Sequence, residues 1–174
     1  QTPPVHTLPP EVVRQGRRDG KSVFPPLEFV PHARDMTIPT RNGEIRLRVL
    51  APDGEAAGVY LHIHGGGWVL GECDEQDVRL WSLVEATGLC AVSVGYRLAP
   101  EHPYPAAPDD CEDAALWLLE HGQRDLGVPE LFSPELTAEW EHKLAQMEHG
   151  KLKRETFMRE IVKMTKHIVA QAKN

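Results

Sequence analysis

The run His64-Gly65-Gly66-Gly67-Trp68 is the part of this 174-residue sequence whose residue types and spacing could do chemistry. Three consecutive glycines remove every Cβ from a stretch of backbone, so its N–H groups can face a bound atom directly. Donors arranged in this way suit an oxyanion. A lone glycine run makes only a flexible turn, but here an apolar strand leads into it, His64 stands in front and Trp68 behind. Other constellations are weaker. His62 and His64 are two apart and share one face of a strand, and His102 could join them as metal ligands, yet the spacing places no carboxylate beside them and no metal is assigned. Asp109, Asp110, Glu112 and Asp113 read as an acidic helix start, favourable at the positive end of the helix dipole. Cys73, Cys90 and Cys111 are odd in number and far apart, which fits neither a disulfide framework nor a zinc knuckle. They read as buried free thiols.

The elements that must position the glycine run follow from pattern. Residues 1–33 carry Pro3, Pro4, Pro9, Pro10, Pro25 and Pro26, which deny long regular structure, so a loose arm with one short helix around Glu11 to Gly16 is expected. Asp35 to Pro39 and Glu44 to Leu50 flank Arg41-Asn42-Gly43, and Ile45, Leu47 and Val49 alternate with Arg46 and Arg48. Period two around an Asn-Gly turn predicts a hairpin. Gly58 to His64 and Leu89 to Val94 are nearly continuous apolar runs, the mark of strands covered on both faces. Between them Val78, Leu80, Trp81 and Val84 have helical spacing that stops at Gly88, and a second helix is predicted from about Ala107 to Gly122, burying Ala114, Ala115, Trp117 and Leu118. Hairpin, strand, helix, strand, helix predicts an α/β sheet with crossovers over 34–130.

Composition adds a boundary. The net charge of -7 and the 26% of charged residues fit a soluble chain and speak against a nucleic-acid surface spread over the whole length. From Leu131 onward, however, eight basic residues outnumber six acidic ones, leaving a net of about -9 on residues 1–130. Fourteen of the 15 prolines also precede Leu131. The shift predicts a separate segment over 131–174. There, Ser133 can cap a helix carrying Leu136, Trp140, Leu144 and Met147, and Phe157, Ile161, Met164 and Ile168 stripe a second one. The lysines of this pair read as a solvated face, so nucleic acid is not expected as a partner. No apolar run approaches the roughly 20 residues of a bilayer span and no leader pattern is present, so a cytoplasmic protein without membrane contact is expected.

His64-Gly65-Gly66-Gly67-Trp68, followed by Tyr96-Arg97-Leu98-Ala99-Pro100-Glu101-His102-Pro103-Tyr104-Pro105-Ala106-Ala107 and Asp109-Asp110, resembles the hormone-sensitive-lipase type of α/β-hydrolase. The likeness covers about Phe24 to Leu131. It implies carboxylic-ester hydrolysis by a Ser-His-Asp triad in a doubly covered, mostly parallel sheet, needing no cofactor. It also implies that Gly66 and Gly67 N–H groups are the oxyanion donors, that Gly65 shapes the turn, and that His64 braces the loop. Tyr96, Arg97, Glu101 and His102 would be structural, tying the following loop under the site. The nucleophile of such enzymes sits in a Gly-x-Ser-x-Gly elbow, because only small neighbours leave the hydroxyl exposed. None of Ser22, Ser82, Ser93 and Ser133 is so flanked, and Ser93 lies inside a strand.

The implied fold is therefore an incomplete α/β-hydrolase sheet followed by a two-helix tail, with an oxyanion loop but no nucleophile. Such a chain is expected to be inactive alone, a hydrolase only if a partner completes the site for a small acyl ester. Without the next strand of the sheet, the strand ending at His64 is left at an edge, and self-association through it is expected. Separately, Leu131-Phe132-Ser133-Pro134-Glu135-Leu136-Thr137-Ala138-Glu139-Trp140-Glu141, with Met147-Glu148-His149-Gly150 and Phe157-Met158-Arg159-Glu160-Ile161, resembles a C-terminal core segment of bacterial type IA DNA topoisomerases. That likeness spans roughly 40 residues and includes none of that family's catalytic groups. It leaves open a binding module on the basic tail.

Overall fold

The computed structural model describes residues 4–128, which lie in the first of the two units into which the chain divides, Gln1–Pro129. The tail expected over 131–174 lies outside the described residues. After a 3-10 turn at Val5–Thr7, the elements are α1 (Pro10–Arg18), β1 (Ala33–Thr40), β2 (Gly43–Leu50), β3 (Val59–Ile63), α2 (Asp77–Thr87), β4 (Cys90–Gly95) and α3 (Ala106–Leu126).

The sheet order is β1-β2-β4-β3. The Asn-Gly turn closes the β1/β2 hairpin with Thr40 opposite Gly43, β2 pairs antiparallel with β4, and β3 runs parallel to β4 across the α2 connection. The sheet is mixed, the expected hairpin joined to a parallel pair with its crossover helix. The expected alternation in β2 is present, with Ile45, Leu47 and Val49 buried and Arg46 and Arg48 on the other face. β4 is buried along almost its whole length, because sheet neighbours flank it on both sides. Its partner β3 differs from expectation. Tyr60 and Ile63 are 38% and 44% exposed, since β4 is its one strand neighbour among the described residues.

One of the helices anchors to the sheet through a buried carboxylate. α2 lays Leu80 and Val84 on Leu50 and Ala91, with Trp81 at the rim. From its first turn, the fully buried Asp77 takes two hydrogen bonds from Arg48 at 3.2 and 2.6 Å. A Gly88 cap in the left-handed region ends α2, where the sequence places its stop. The later helix α3 continues past Gly122, which is buried within it, to Leu126 and a left-handed Gly127. Ala114 and Leu118 are buried, whereas Ala115 and Trp117 are only partly covered. The short helix expected in the arm is α1, which has Pro10 at its first position and runs two residues past Gly16, and its arginines reach the rest of the fold: Arg17 to Glu75, Arg18 to Glu72 and Arg14 to Glu101.

The polar groups inside the sheet are not equally placed. In register, His62 of β3, Ser93 of β4, Arg48 of β2 and Asp35 of β1 form one row across the sheet. Arg48 is paired with Asp77 and Asp35, but the buried Ser93 hydroxyl and the His62 Nε2 have no hydrogen-bond partner among the described residues. Removing one member of a buried pair strands the other charge, so Asp77→Ala is expected to lower stability by about 3 kcal/mol, toward the low end because Asp35 remains on Arg48. Ser93→Ala is expected to be neutral or to stabilise by up to about 1 kcal/mol, since it deletes a desolvated and unpaired hydroxyl. Urea unfolding of the two variants checks both signs.

Candidate active site

The loop after β3 is shaped by close backbone approach. His64 is buried, while Gly65 to Trp68 are exposed. Gly66, Gly67 and Trp68 have positive φ of 124°, 63° and 64° in succession, and Trp68 is the one non-glycine among the described residues with positive φ. The turn closes by hydrogen bonds from the N–H groups of Val69 and Leu70 to the Gly66 carbonyl. A Cβ on Gly66 would lie 2.0 Å from the Leu70 carbonyl oxygen, and one on Gly71 would lie 2.5 Å from His64 Nδ1. A Cβ on Gly65 would meet nothing within 4 Å, and its φ is not positive. The expectation that Gly65 shapes the turn is therefore corrected: Gly66 carries the steric demand, and Gly71, which the sequence reading missed, carries a second one. Among the described residues the N–H groups of Gly66 and Gly67 find no acceptor.

His64 and Tyr96 hold this loop from beneath. The Tyr96 hydroxyl donates to the His64 carbonyl at 2.6 Å and lies 3.0 Å from His64 Nδ1, which is itself 2.9 Å from the Gly65 carbonyl. With the hydroxyl proton committed to the carbonyl, the arrangement fits a His64 whose Nδ1–H donates to Gly65. The two rings stack at 4.1 Å, and Trp68 meets Tyr96 edge-on. Burial pushes the Tyr96 hydroxyl up to about 12.

The segment following β4 is fixed by ion pairs. Arg97 donates through its side chain and its backbone N–H to the buried Asp110 of α3 at 2.8 to 3.2 Å. Glu101 pairs with Arg14, which holds its carboxyl below the usual range, and Arg14 donates further to the carbonyls of Val69 at 2.8 Å and Ala99 at 2.6 Å. One side chain thus joins α1 to both loops of the site. The His102 side chain is exposed and makes no hydrogen bond among the described residues, so its expected tying role is corrected; only its N–H, bonded to the Leu98 carbonyl, holds the turn. His62 stays one strand position behind the loop, and burial pushes its imidazole below the ordinary value. An open cleft of about 540 Å³ beside α1 is lined by Arg14, Arg18, Arg46, Glu72, Tyr96 and Glu101, and its guanidinium groups are already paired with carboxylates. Ser93 is interior and unsuited to attack on a substrate.

The chain belongs to the family described as alpha/beta hydrolase fold, which matches residues 60–146, from β3 to beyond Leu131. It is 41% identical over 126 residues to the esterase LipI of Mycobacterium tuberculosis, covering 67% of this chain and 38% of that protein. It is 32% identical over 131 residues to the ethyl acetate hydrolase of Pseudomonas putida, covering 72% of this chain and 41% of that protein. Among solved structures, an esterase of Pyrobaculum calidifontis aligns with a TM-score of 0.61 at 37% identity, covering 74% of this chain and 42% of that one. The chain spans about two fifths of the length of these relatives. The fold is thus an incomplete α/β-hydrolase sheet, and none of the described helices is long and apolar enough to cross a membrane.

Two outcomes follow from the loop geometry. Gly66→Ala should disrupt the loop and lower the midpoint of thermal unfolding, whereas Gly65→Ala should leave it close to that of the unmodified chain; scanning calorimetry of the pair separates them. The chain should also lose stability in alkali. Burial raises the folded-state values of Cys90 and Cys111 from about 9 to about 11, and of Cys73 and Tyr96 to about 12. Groups held protonated by the fold contribute fully below their unfolded values and lose that contribution as pH rises through the folded ones. Urea midpoints should therefore be flat from pH 7 to 8.5 and fall progressively between pH 9 and 11.

Proposed function

We propose that residues 34–130 are the front portion of a carboxylic ester hydrolase, supplying its oxyanion hole and not its nucleophile. The observation that carries this reading is the pair of free, exposed N–H groups at Gly66 and Gly67, held at the end of β3 by His64 and Tyr96. Donors fixed in that way would accept the charge that develops on the carbonyl oxygen of an ester under attack, an effect worth about 10²–10³ in kcat per donor. The names of the relatives, esterase and ethyl acetate hydrolase, support a small acyl ester as the substrate class.

Attack needs a serine, a histidine base and a carboxylate to orient it. No serine in these 174 residues has the Gly-x-Ser-x-Gly flanks that expose a hydroxyl at an elbow. We therefore read the 174 residues as inactive alone, with the missing groups belonging to further polypeptide, whether in the same chain or in a partner. The topoisomerase-like reading of the tail falls on residues outside the described ones.

Two experiments bear on this. The purified 174 residues should hydrolyse p-nitrophenyl acetate at the buffer rate and take no label from a fluorophosphonate. Turnover above about 1 s⁻¹, an ordinary enzyme value, that vanishes in Ser93→Ala would overturn the reading. Coexpression with the remaining C-terminal portion of the Pyrobaculum calidifontis esterase should then restore turnover, reduced about 10²-fold or more by Gly66→Ala. A stable, soluble complex without turnover would remove the oxyanion assignment.

A further inference from the structure

A single arginine of α1 grips the glycine loop by its backbone. Arg14 makes four hydrogen bonds: Nη1 and Nη2 to the Glu101 carboxylate at 2.9 and 3.1 Å, Nη2 again to the Ala99 carbonyl at 2.6 Å, and Nε to the Val69 carbonyl at 2.8 Å. Its side chain is 12% exposed. The two-pronged grip on Glu101 fixes the plane of the guanidinium, and a fixed plane fixes where its remaining N–H groups point. They point at two carbonyls that have no other donor among the described residues.

Those carbonyls belong to the two segments that frame the loop. Val69 sits two residues beyond Gly67, and its N–H closes the turn on the Gly66 carbonyl at 3.2 Å. Ala99 donates its N–H to the Trp68 carbonyl at 2.8 Å. Val69 is thus tied on one side to the glycines and on the other to α1, while Ala99, bonded to both Trp68 and Arg14, closes a ring through the guanidinium. Arg17 and Arg18 share this face of the helix one turn on, but they reach Glu75 and Glu72, beyond the loop. No residue of α1 is buried, so little apolar packing holds the helix in place.

We propose that Arg14 is a positioning residue for the glycine loop: α1, docked through it, holds the return limb of the loop and with it the aim of the Gly66 and Gly67 N–H groups. The effect on catalysis rests on the ester-hydrolase reading; the dependence of loop order on Arg14 does not. Gly66 and Gly67 spend none of their own N–H groups on the turn, so the direction of these donors is set by what is fixed on either side. On the upstream side this is His64, held through its carbonyl by Tyr96. On the downstream side it is Val69, and among the described residues Arg14 is the one side chain that hydrogen-bonds it. The role needs an arginine. A lysine carries the same charge on a single ammonium at the end of a flexible stem, which cannot grip Glu101 and reach both carbonyls in fixed directions. The helix in this way controls the site without touching a substrate: lifting α1 slackens the donors.

Amide hydrogen exchange of the 174 residues, read residue by residue by NMR, tests the dependence of the loop on Arg14. In Arg14→Ala the N–H groups of Val69, Leu70 and Ala99 should exchange about 10-fold faster or more, the factor expected for losing a hydrogen bond to a charged group, while those of β2 and β4 keep their rates. Arg14→Lys should behave as Arg14→Ala does. Arg18→Ala, which releases only the far end of α1, should leave the three amides unchanged. Equal acceleration throughout sheet and loop would make Arg14 a stabilising residue only and overturn the proposal, as would unchanged loop rates in Arg14→Ala or full protection in Arg14→Lys. Should Arg14→Ala fail to fold, Arg14→Lys, which keeps the charge, decides alone. In the complex coexpressed with the C-terminal portion of the Pyrobaculum calidifontis esterase, the same variants should lower kcat about 10-fold with KM unchanged, less than the roughly 10²–10³ of a donor removed outright. Loosened amides with an unchanged kcat would overturn the effect on catalysis. A complex already inactive with Arg14 in place would count against the ester-hydrolase reading and remove that effect with it, while the exchange result would stand.

Discussion

The contact on which the site depends is one without a side chain: the α-carbon of Gly66 lies so close to the Leu70 carbonyl that a Cβ would sit 2.0 Å from its oxygen. This approach lets the chain reverse within four residues of leaving β3, and the reversal leaves the Gly66 and Gly67 N–H groups unused by the turn itself. Free backbone donors are costly when buried and stable when exposed. The loop resolves that tension by keeping Gly65 to Trp68 in solvent while burying His64 immediately before them. Trp68 in the left-handed region at φ 64° is the strained member, and the neighbouring Tyr96 ring and the Ala99 N–H bonded to the Trp68 carbonyl hold it there.

Around this loop, buried carboxylates set the positions of the helices. Asp77 joins α2 to β2 through Arg48, and Asp110 joins α3 to the segment after β4 through Arg97. Arg41 in the hairpin turn also reaches Asp109, Glu112 and Asp113, but at the surface, where such pairs contribute little. The two buried pairs add little net stability over apolar packing, but a mispositioned helix would strand the Asp77 or Asp110 charge in the interior. Their effect is to fix the register of each helix on the sheet, and hence the depth at which β3 and the Tyr96 segment present the site.

Legibility in the sequence followed the range of the interaction. The hairpin, both strands of the crossover and the Gly88 stop were readable because they rest on period two, an Asn-Gly turn and a capping glycine, all local signals. The extent of α3 was misread at Gly122 because a helix tolerates a glycine on its buried side when packing supports it. The short helix of the arm was readable, but its anchoring was not, because Arg14 bonds to residues 55 to 87 positions away, which no local pattern carries. In the same way the glycine run was found as a motif, but which glycine bears the steric demand depends on where Leu70 and His64 fold back. The roles of Asp77 and Asp110 as interior ion-pair partners were also out of reach, since in sequence each is one more acidic residue near a helix start.

The groups that shape the loop, namely Leu70, Gly71, His64, Tyr96 and Arg14, all lie within the described residues. The geometry of this loop therefore needs no serine elbow to hold it. Electrostatic stabilisation acts through donors positioned before charge develops, so a loop preassembled by its own backbone contacts meets that requirement whichever polypeptide brings the nucleophile. The nucleophile is a different kind of feature, a side chain whose reactivity depends on a base and an orienting carboxylate on other elements. On the proposed reading, the two kinds of feature are therefore separable along the chain.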